Sequence, residues 1–180
     1  MEELVLVDPQ NTVLGTAPKD LCHEGDGTLH RAFSIFVFNS EMELLLQKRA
    51  REKRLWPGYW SNSCCSHPGL NESMISAATR RLDQELGIKG RQFSELYRFE
   101  YRARYLDLGS ENELCSVLIC RSDDDLAINR AEVSAVRWVN MAKLVLEIES
   151  HPEQFTPWFK LEAEQLTSTC LSQIQGMYSW

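Results

Sequence analysis

Apolar residues crowd the run Phe33-Ser34-Ile35-Phe36-Val37-Phe38, which reads as a buried strand. Asn39-Ser40 reads as a turn and Glu43-Leu44-Leu45-Leu46-Gln47 as the hairpin partner of that strand. Trp56-Pro57-Gly58 marks a second turn. From Glu72 to Leu86 the apolar residues Met74, Ile75, Ala78, Leu82 and Leu86 recur at helical spacing, with Asn71 placed to cap the helix and Gly87 to end it. Three more strands are expected, around Leu96–Arg102, Leu114–Cys120 and Ala135–Val139. Met141–Glu149 and a segment from Glu153 to about Leu166 read as helices, with Pro157 early in the second, where a helix tolerates proline best. Beyond Leu166 the pattern weakens into a tail, about 167–180. Strand hairpins interleaved with helices predict an α/β sandwich.

Length and composition narrow the class. No repeat, linker or low-complexity run divides the 180 residues, so residues 1–180 read as one domain, long enough for a proper core. A hydrophobic content of 43% with 25% charged residues is that of a soluble globular protein. The stretch Met1-Glu2-Glu3-Leu4-Val5-Leu6-Val7-Asp8 lacks a basic leader, and its apolar run is too short for a signal peptide. No segment approaches the roughly 20 apolar residues needed to cross a bilayer. A cytoplasmic protein is expected. Of six cysteines, Cys64 and Cys65 are adjacent and no Cys-x-x-Cys pair occurs, which reads as reduced thiols rather than disulfides or a zinc ribbon. A net charge of −7 argues against nucleic acid or an anionic membrane as the main partner. The basic residues are nevertheless clustered: Lys48, Arg49, Arg51, Lys53 and Arg54 crowd one segment, and Arg80 and Arg81 sit on the following helix. Such a cluster is either a solvated loop or a site for a small, highly charged anion.

Candidate chemistry centres on Asn62-Ser63-Cys64-Cys65-Ser66-His67-Pro68, which places thiols next to an imidazole just before a helix that carries Glu85. Thiol and imidazole are the side chains best suited to proton transfer near neutral pH, and both bind metal. Downstream, Glu111 and Glu113 are two apart at the start of an expected strand, so period two puts both carboxylates on one face, roughly 7 Å apart along the chain. Two such acids are either an exposed strand end or, if buried, a pair that needs a cation. His23 and His30 lie in a loop of small and polar residues, and each alone reads as a surface or core histidine. Together, three imidazoles and two carboxylates suit manganese, zinc or iron(II), whereas magnesium prefers oxygen ligands.

The helix segment Arg80-Arg81-Leu82-Asp83-Gln84-Glu85-Leu86-Gly87-Ile88, with Glu72 upstream, resembles a degraded Nudix box. Arg81 and Gln84 stand where the hydrolase pattern has Glu, Ser66 replaces its first Gly, and of the central acidic cluster only Glu85 remains. The resemblance implies a Nudix-like α/β/α sandwich with a mixed central sheet. Its lost glutamates imply a reaction other than multi-metal hydrolysis.

A closer resemblance covers the chain to about residue 160. His23-x6-His30, Trp56-Pro57-Gly58, the Asn62–Pro68 block, Arg81…Glu85-Leu86-Gly87, Tyr101-Arg102-Ala103, Glu111-Asn112-Glu113 and Thr156-Pro157-Trp158 stand in the order and spacing of the type I isopentenyl-diphosphate isomerases. The resemblance implies interconversion of isopentenyl and dimethylallyl diphosphates by protonation and deprotonation through a tertiary carbocation. Cys65 and Glu113 would be the acid–base pair, in either order. His23, His30, His67, Glu111 and Glu113 would bind one Mn2+ or Zn2+ ion. Glu85 would hold Mg2+ with the substrate diphosphate, aided by the Cys65 backbone carbonyl. Lys19, Arg49, Lys53 and Arg81 match positions that contact the phosphates, and Tyr101 and Trp158 offer π faces to the cation. Cys64 reads as structural. The rivals are a Nudix-type diphosphate hydrolase and a non-catalytic metal- or phosphate-binding module.

Overall fold

The computed structural model describes residues 2–176. Its strands are β1 (Glu3–Val7), β2 (Val13–Pro18), β3 (His30–Phe38), β4 (Leu44–Arg49), β5 (Trp60–Ser61), β6 (Cys64–Ser66), β7 (Ser94–Tyr105), β8 (Gly109–Arg121) and β9 (Val133–Val139). The helices are α1 (Lys19–Cys22), α2 (Met74–Leu86), α3 (Met141–Ser150), α4 (Pro157–Thr169) and α5 (Leu171–Gly176). The apolar run of β3 forms the middle of the sheet. Along it, β8 pairs in parallel (His30↔Glu113 to Phe38↔Arg121) and β6 antiparallel (Ser34↔Cys65), while β7 pairs antiparallel with the far side of β8. The sheet is therefore mixed, as expected.

Both faces of β3 are covered, which is why its sequence is almost continuously apolar rather than alternating. Phe33, Ile35 and Val37 pack with Leu118 and Cys120 of β8 against Ala78, Leu82 and Leu86 of α2. Ala32, Phe36 and Phe38 pack with Cys115, Val117 and Ile119 of β8 against Leu144 of α3 and Phe159, Ala163 and Leu166 of α4. Helices on both sides of the sheet give the α/β/α sandwich. Ser34 is the one polar residue inside the β3 run, and it shares the α4 face.

Four local expectations change. The strand after Asn39-Ser40 touches β3 at a single pair, Phe38↔Leu44. Both edges of β3 are already occupied, so β4 leaves it and pairs along its length with β9. The cap of α2 is Ser73, whose Oγ accepts from Ser76 N at 3.1 Å, while Asn71 holds a left-handed turn two residues earlier. The helix expected from Glu153 begins only at Pro157. Residues 152–154 form one 3-10 turn, and Phe155-Thr156 is extended, Thr156 N donating to Trp60 O at 2.9 Å. A residue before proline is pushed out of the helical region, and proline itself fits the first helical position. The weakly patterned segment after Leu166 is helical through Gly176, with Cys170 and Ile174 joining the core; residues 177–180 lie outside the described residues. The β1–β2 hairpin and α1 had no counterpart in the pattern.

Gly87 ends α2 as expected. Its φ of 75° favours glycine, and a Cβ there would stand 2.6 Å from Ala127 Cβ. No helix among the described residues is long and apolar enough to cross a membrane.

Candidate active site

The strand registers assemble the site. Glu111 and Glu113 alternate with Asn112 along β8, so period two turns both onto the face that carries Cys115 and Val117. On one side, parallel pairing sets His30 opposite Glu113; on the other, antiparallel pairing sets Tyr101 opposite Glu113. Tyr101 donates its hydroxyl to Glu113 Oε2 at 2.6 Å. His23 is brought in by a loop pinned to the start of β8. Ser110 N donates to His23 O at 3.0 Å, and a Cβ on Gly109 would lie 2.2 Å from that same oxygen, so only glycine allows the approach. Ser110 Oγ and Asn112 Nδ2 hold the loop further along, through the carbonyls of Gly25 and Gly27.

Five potential ligands converge, all of them buried. One donor atom from each of His23, His30, His67, Glu111 and Glu113 lies within 4.8 Å of every other. His67 Nε2 is 3.0 Å from Glu113 Oε1 and 3.2 Å from His30 Nε2. His30 Nδ1 is 2.7 Å from the Thr28 carbonyl, which can only accept, so that nitrogen carries a proton and Nε2 is the atom turned toward the cluster. His23 Nε2 and Glu111 Oε2 approach to 2.8 Å, yet among the described residues neither has a hydrogen-bond partner. Burial holds His67 down to about 4 against the pull of Glu113, so its imidazole is neutral at pH 7 and able to ligate. Burial alone would raise Glu113, but hydrogen bonds from His30 and His67 outweigh it and hold the carboxylate well below its usual range. Buried, unpaired nitrogen and oxygen donors aimed at one point fit a divalent cation.

Cys65 is positioned by the same parity argument. In β6 it lies beside Ser34 on the α4 face, whereas Cys64 points into the α2 core beside Glu85. Adjacent thiols on one strand thus have opposite fates: Cys65 lines the cavity and Cys64 is fully buried. The Cys65 thiol donates to Asn62 Oδ1 at 2.8 Å. The Asn62 amide is oriented by its Nδ2, which donates to the carbonyls of Cys64 (3.0 Å) and Ile35 (3.2 Å). Burial pushes the Cys65 thiol well up, with Glu162 and Glu113 adding to the effect.

The cavity, about 130 Å³, joins these groups to the basic residues. Lys19, Arg49, Lys53 and Arg81 all line it, with Cys65, His23, His67, Tyr101, Glu111, Glu113 and Trp158. Arg81 and Lys53 are gathered by Glu132, the first at 3.4 Å and the second in an ion pair. Arg49 is tied to the carbonyls of Leu55 and Trp56, and its guanidinium lies 5.3 Å from the Trp158 ring centroid. Thr156 and Pro157 set Trp158 at the first turn of α4, where its Nε1 donates to Ser61 Oγ at 3.1 Å and its ring meets Trp56 edge-on. Glu85 lies beneath Arg81 rather than on the cavity wall. One of its oxygens takes Arg81 at 2.5 Å and the other accepts from Gln47 at 3.2 Å. Arg54, already counted in the basic cluster, also faces the cavity. Sequence reasoning missed Glu132, Ser34, Asn62 as a partner for the thiol, and Glu162. Two carried a signal: Ser34 interrupts an apolar strand, and Glu162 sits four residues after Trp158 and four before Leu166 on the buried stripe of α4.

The fold and this cavity define a class: a Nudix-fold protein whose box has lost most of its acids and whose site instead gathers imidazoles, carboxylates and a thiol. Residues 28–159 match the NUDIX domain family. Solved structures agree on the fold. A Deinococcus radiodurans protein is 21% identical with a TM-score of 0.67, covering 83% of this chain and 90% of that one. The MutT protein of Methanosarcina mazei is 17% identical with a TM-score of 0.64, covering 77% and 93%. Among curated proteins, the isopentenyl-diphosphate delta-isomerase 1 of Photorhabdus laumondii is 44% identical over 163 residues, 90% of this chain and 93% of that protein. The isopentenyl-diphosphate delta-isomerase of Saccharopolyspora erythraea is 40% identical over 167 residues, 92% and 86% respectively. The chain belongs to the isopentenyl-diphosphate delta-isomerase family.

Proposed function

We propose that this chain interconverts isopentenyl and dimethylallyl diphosphates by giving a proton to one carbon and taking one from another, with Cys65 and Glu113 as the pair. The observation that carries the reading is their shared cavity: a thiol that keeps its proton and a carboxylate held without one, both lining the same small space. An unactivated alkene is a very weak base, so it needs a placed acid in a pocket that stabilises positive charge. The pair begins a turnover with one proton to give and one site to receive. Tyr101 keeps Glu113 aimed by its hydrogen bond, and the faces of Tyr101 and Trp158, with centroids 6.0 Å apart, would stabilise the carbon that becomes cationic.

Lys19, Arg49, Lys53 and Arg81 hold the diphosphate and so fix the position of the short apolar tail. His23, His30, His67, Glu111 and Glu113 would hold a manganese- or zinc-type ion, and Glu85 with the Cys65 backbone carbonyl would hold magnesium. When bound, the first would balance the paired carboxylates and the second would neutralise phosphate charge. Free cysteines throughout the described residues suit a reducing compartment, and we place the enzyme in the cytoplasm.

The test is a pair of variants assayed with isopentenyl diphosphate and divalent metals. Cys65→Ala should abolish formation of dimethylallyl diphosphate with the fold retained, and Cys64→Ala should be mild. Equal losses in both would remove Cys65 from proton transfer.

A further inference from the structure

Glu132 puts a carboxylate behind the basic side of the cavity, where a negative group works against a phosphate unless it serves the cations themselves. It is half-buried in the turn that leads into β9. One of its oxygens is ion-paired with Lys53 Nζ, and the other stands 3.4 Å from Arg81 Nη2. The two cations come from separate elements, Lys53 from the loop after β4 and Arg81 from the second half of α2. For Lys53, Glu132 is the sole acceptor among the described residues. Arg81 has others: Gln84 Oε1 at 3.2 Å and Glu85 Oε1 at 2.5 Å.

The backbone around Glu132 delivers it to that place. Asn129 closes a tight turn: its carbonyl accepts from Glu132 N at 3.0 Å and Val133 N at 2.9 Å, and its Oδ1 accepts from Ala131 N at 3.1 Å. The turn is tied to both cation-bearing elements. Ala50 N, beside Arg49, donates to Glu132 O at 3.0 Å. At the end of α2, Glu85 O accepts from Asn129 N at 3.0 Å and Leu86 O from Ala127 N at 2.8 Å. Residues 127–132 therefore strap the loop after β4 to α2, and the Glu132 side chain repeats that link between the two cations. Without it, two like charges would stand together at the cavity wall, and the flexible Lys53 stem would turn out to solvent. A cation already held in place needs no ordering when an anion arrives.

Resting on the phosphate contacts given above to Lys53 and Arg81, we propose that Glu132 is a positioning residue for the diphosphate: it spans the two cations, one oxygen to each, and holds both at the cavity before substrate enters. Glu132 is not among the cavity-lining residues, so it acts through Lys53 and Arg81. Its charge also repels the phosphates, and this gives the proposal a sign. Removing a mere negative charge would tighten diphosphate binding, whereas removing a positioning group weakens it.

The test titrates inorganic diphosphate by calorimetry into the full-length, metal-loaded parent, Glu132→Ala, Glu132→Gln, Lys53→Met and the double Lys53→Met/Glu132→Ala, with kcat, KM and thermal melting read alongside. Glu132→Ala should weaken diphosphate binding and raise KM by about fivefold or more, with kcat within about threefold, the size of one weakened hydrogen bond to a charged group. Glu132→Gln, which can accept from only one of the two cations, should fall between parent and Ala. In the Lys53→Met background, Glu132→Ala should cost less than about threefold, because one of its two partners is already gone. A smaller loss or tighter binding in Glu132→Ala, a loss carried by kcat, or the full loss repeated in the double would each overturn the proposal. Should Glu132→Ala fail to fold, Glu132→Gln decides by the same sign, and unchanged or tighter binding there ends the idea. Turnover of isopentenyl diphosphate by the parent separates the two readings. A parent that binds diphosphate yet forms no dimethylallyl diphosphate refutes the proposed reaction and leaves Glu132 to be judged by the titrations. An active parent whose diphosphate affinity ignores Glu132 refutes only the positioning role, and a parent that binds no diphosphate removes both.

Discussion

Trp158 gives the sharpest view of how the pocket treats positive charge. Its ring is buried, met edge-on by Trp56 at 5.2 Å between centroids and at a 34° tilt by Tyr101 at 6.0 Å, and it already carries the Arg49 guanidinium at 5.3 Å. A desolvated aromatic face of this kind is worth about 2 kcal/mol to a cation. That equals roughly a 30-fold change in rate when the cation exists only in the transition state. Trp158→Phe keeps a weaker face and loses the Nε1 bond to Ser61, a cost of about 1 kcal/mol that falls on stability. Trp158→Leu keeps bulk but no π system. Steady-state kinetics should therefore show kcat falling about 30-fold or more for Leu and clearly less for Phe, with KM nearly constant in both. Melting curves identify variants that have merely lost their fold. A diphosphate carrying a tertiary ammonium in place of the cation should lose affinity in the same order. Leu and Phe variants that turn over equally and bind that mimic equally would reduce Trp158 to a wall of the pocket.

Two further outcomes follow from the buried charges. The purified chain should retain about one transition-metal ion through mild dialysis, and His67→Ala should lose it while Glu85→Gln keeps it; elemental analysis finding no such ion in active enzyme would dismantle the five-ligand site. Glu162 ties stability to pH: its carboxyl titrates near 8 when folded and near 4.5 when unfolded, so the unfolded chain releases its proton first and stability falls as pH rises between those values. Glu162→Gln removes that loss, on the order of 4 kcal/mol by pH 8, so its melting temperature should gain on the parent from pH 5 to pH 8, and parallel curves would contradict a neutral buried acid.

Much of the site was legible because strands have a period of two. That period puts Glu111 and Glu113 on one face from the sequence alone, and in the structure the same period separates Cys65 from Cys64. Helical spacing likewise located α2 to within two residues at its start. What could not be read were choices made by partners far along the chain. β4 looks like a hairpin mate of β3 until β6 and β8 are seen to occupy both its edges. β2 is exposed or half-buried along its length, so it has no inward apolar stripe to betray it. Glu162 reads as an ordinary helix charge, and only the sheet beneath shows that it is closed off from solvent with no cation beside it among the described residues.

The most direct measurement is the fate of isopentenyl diphosphate in deuterium oxide, followed by NMR with the metal-loaded enzyme. Proton addition at one carbon and removal at another should yield dimethylallyl diphosphate carrying solvent deuterium, with no phosphate or diphosphate released. Cys65→Ala and Glu113→Gln should each form no product. Product formed without solvent label, or phosphate released in its place, would contradict the account.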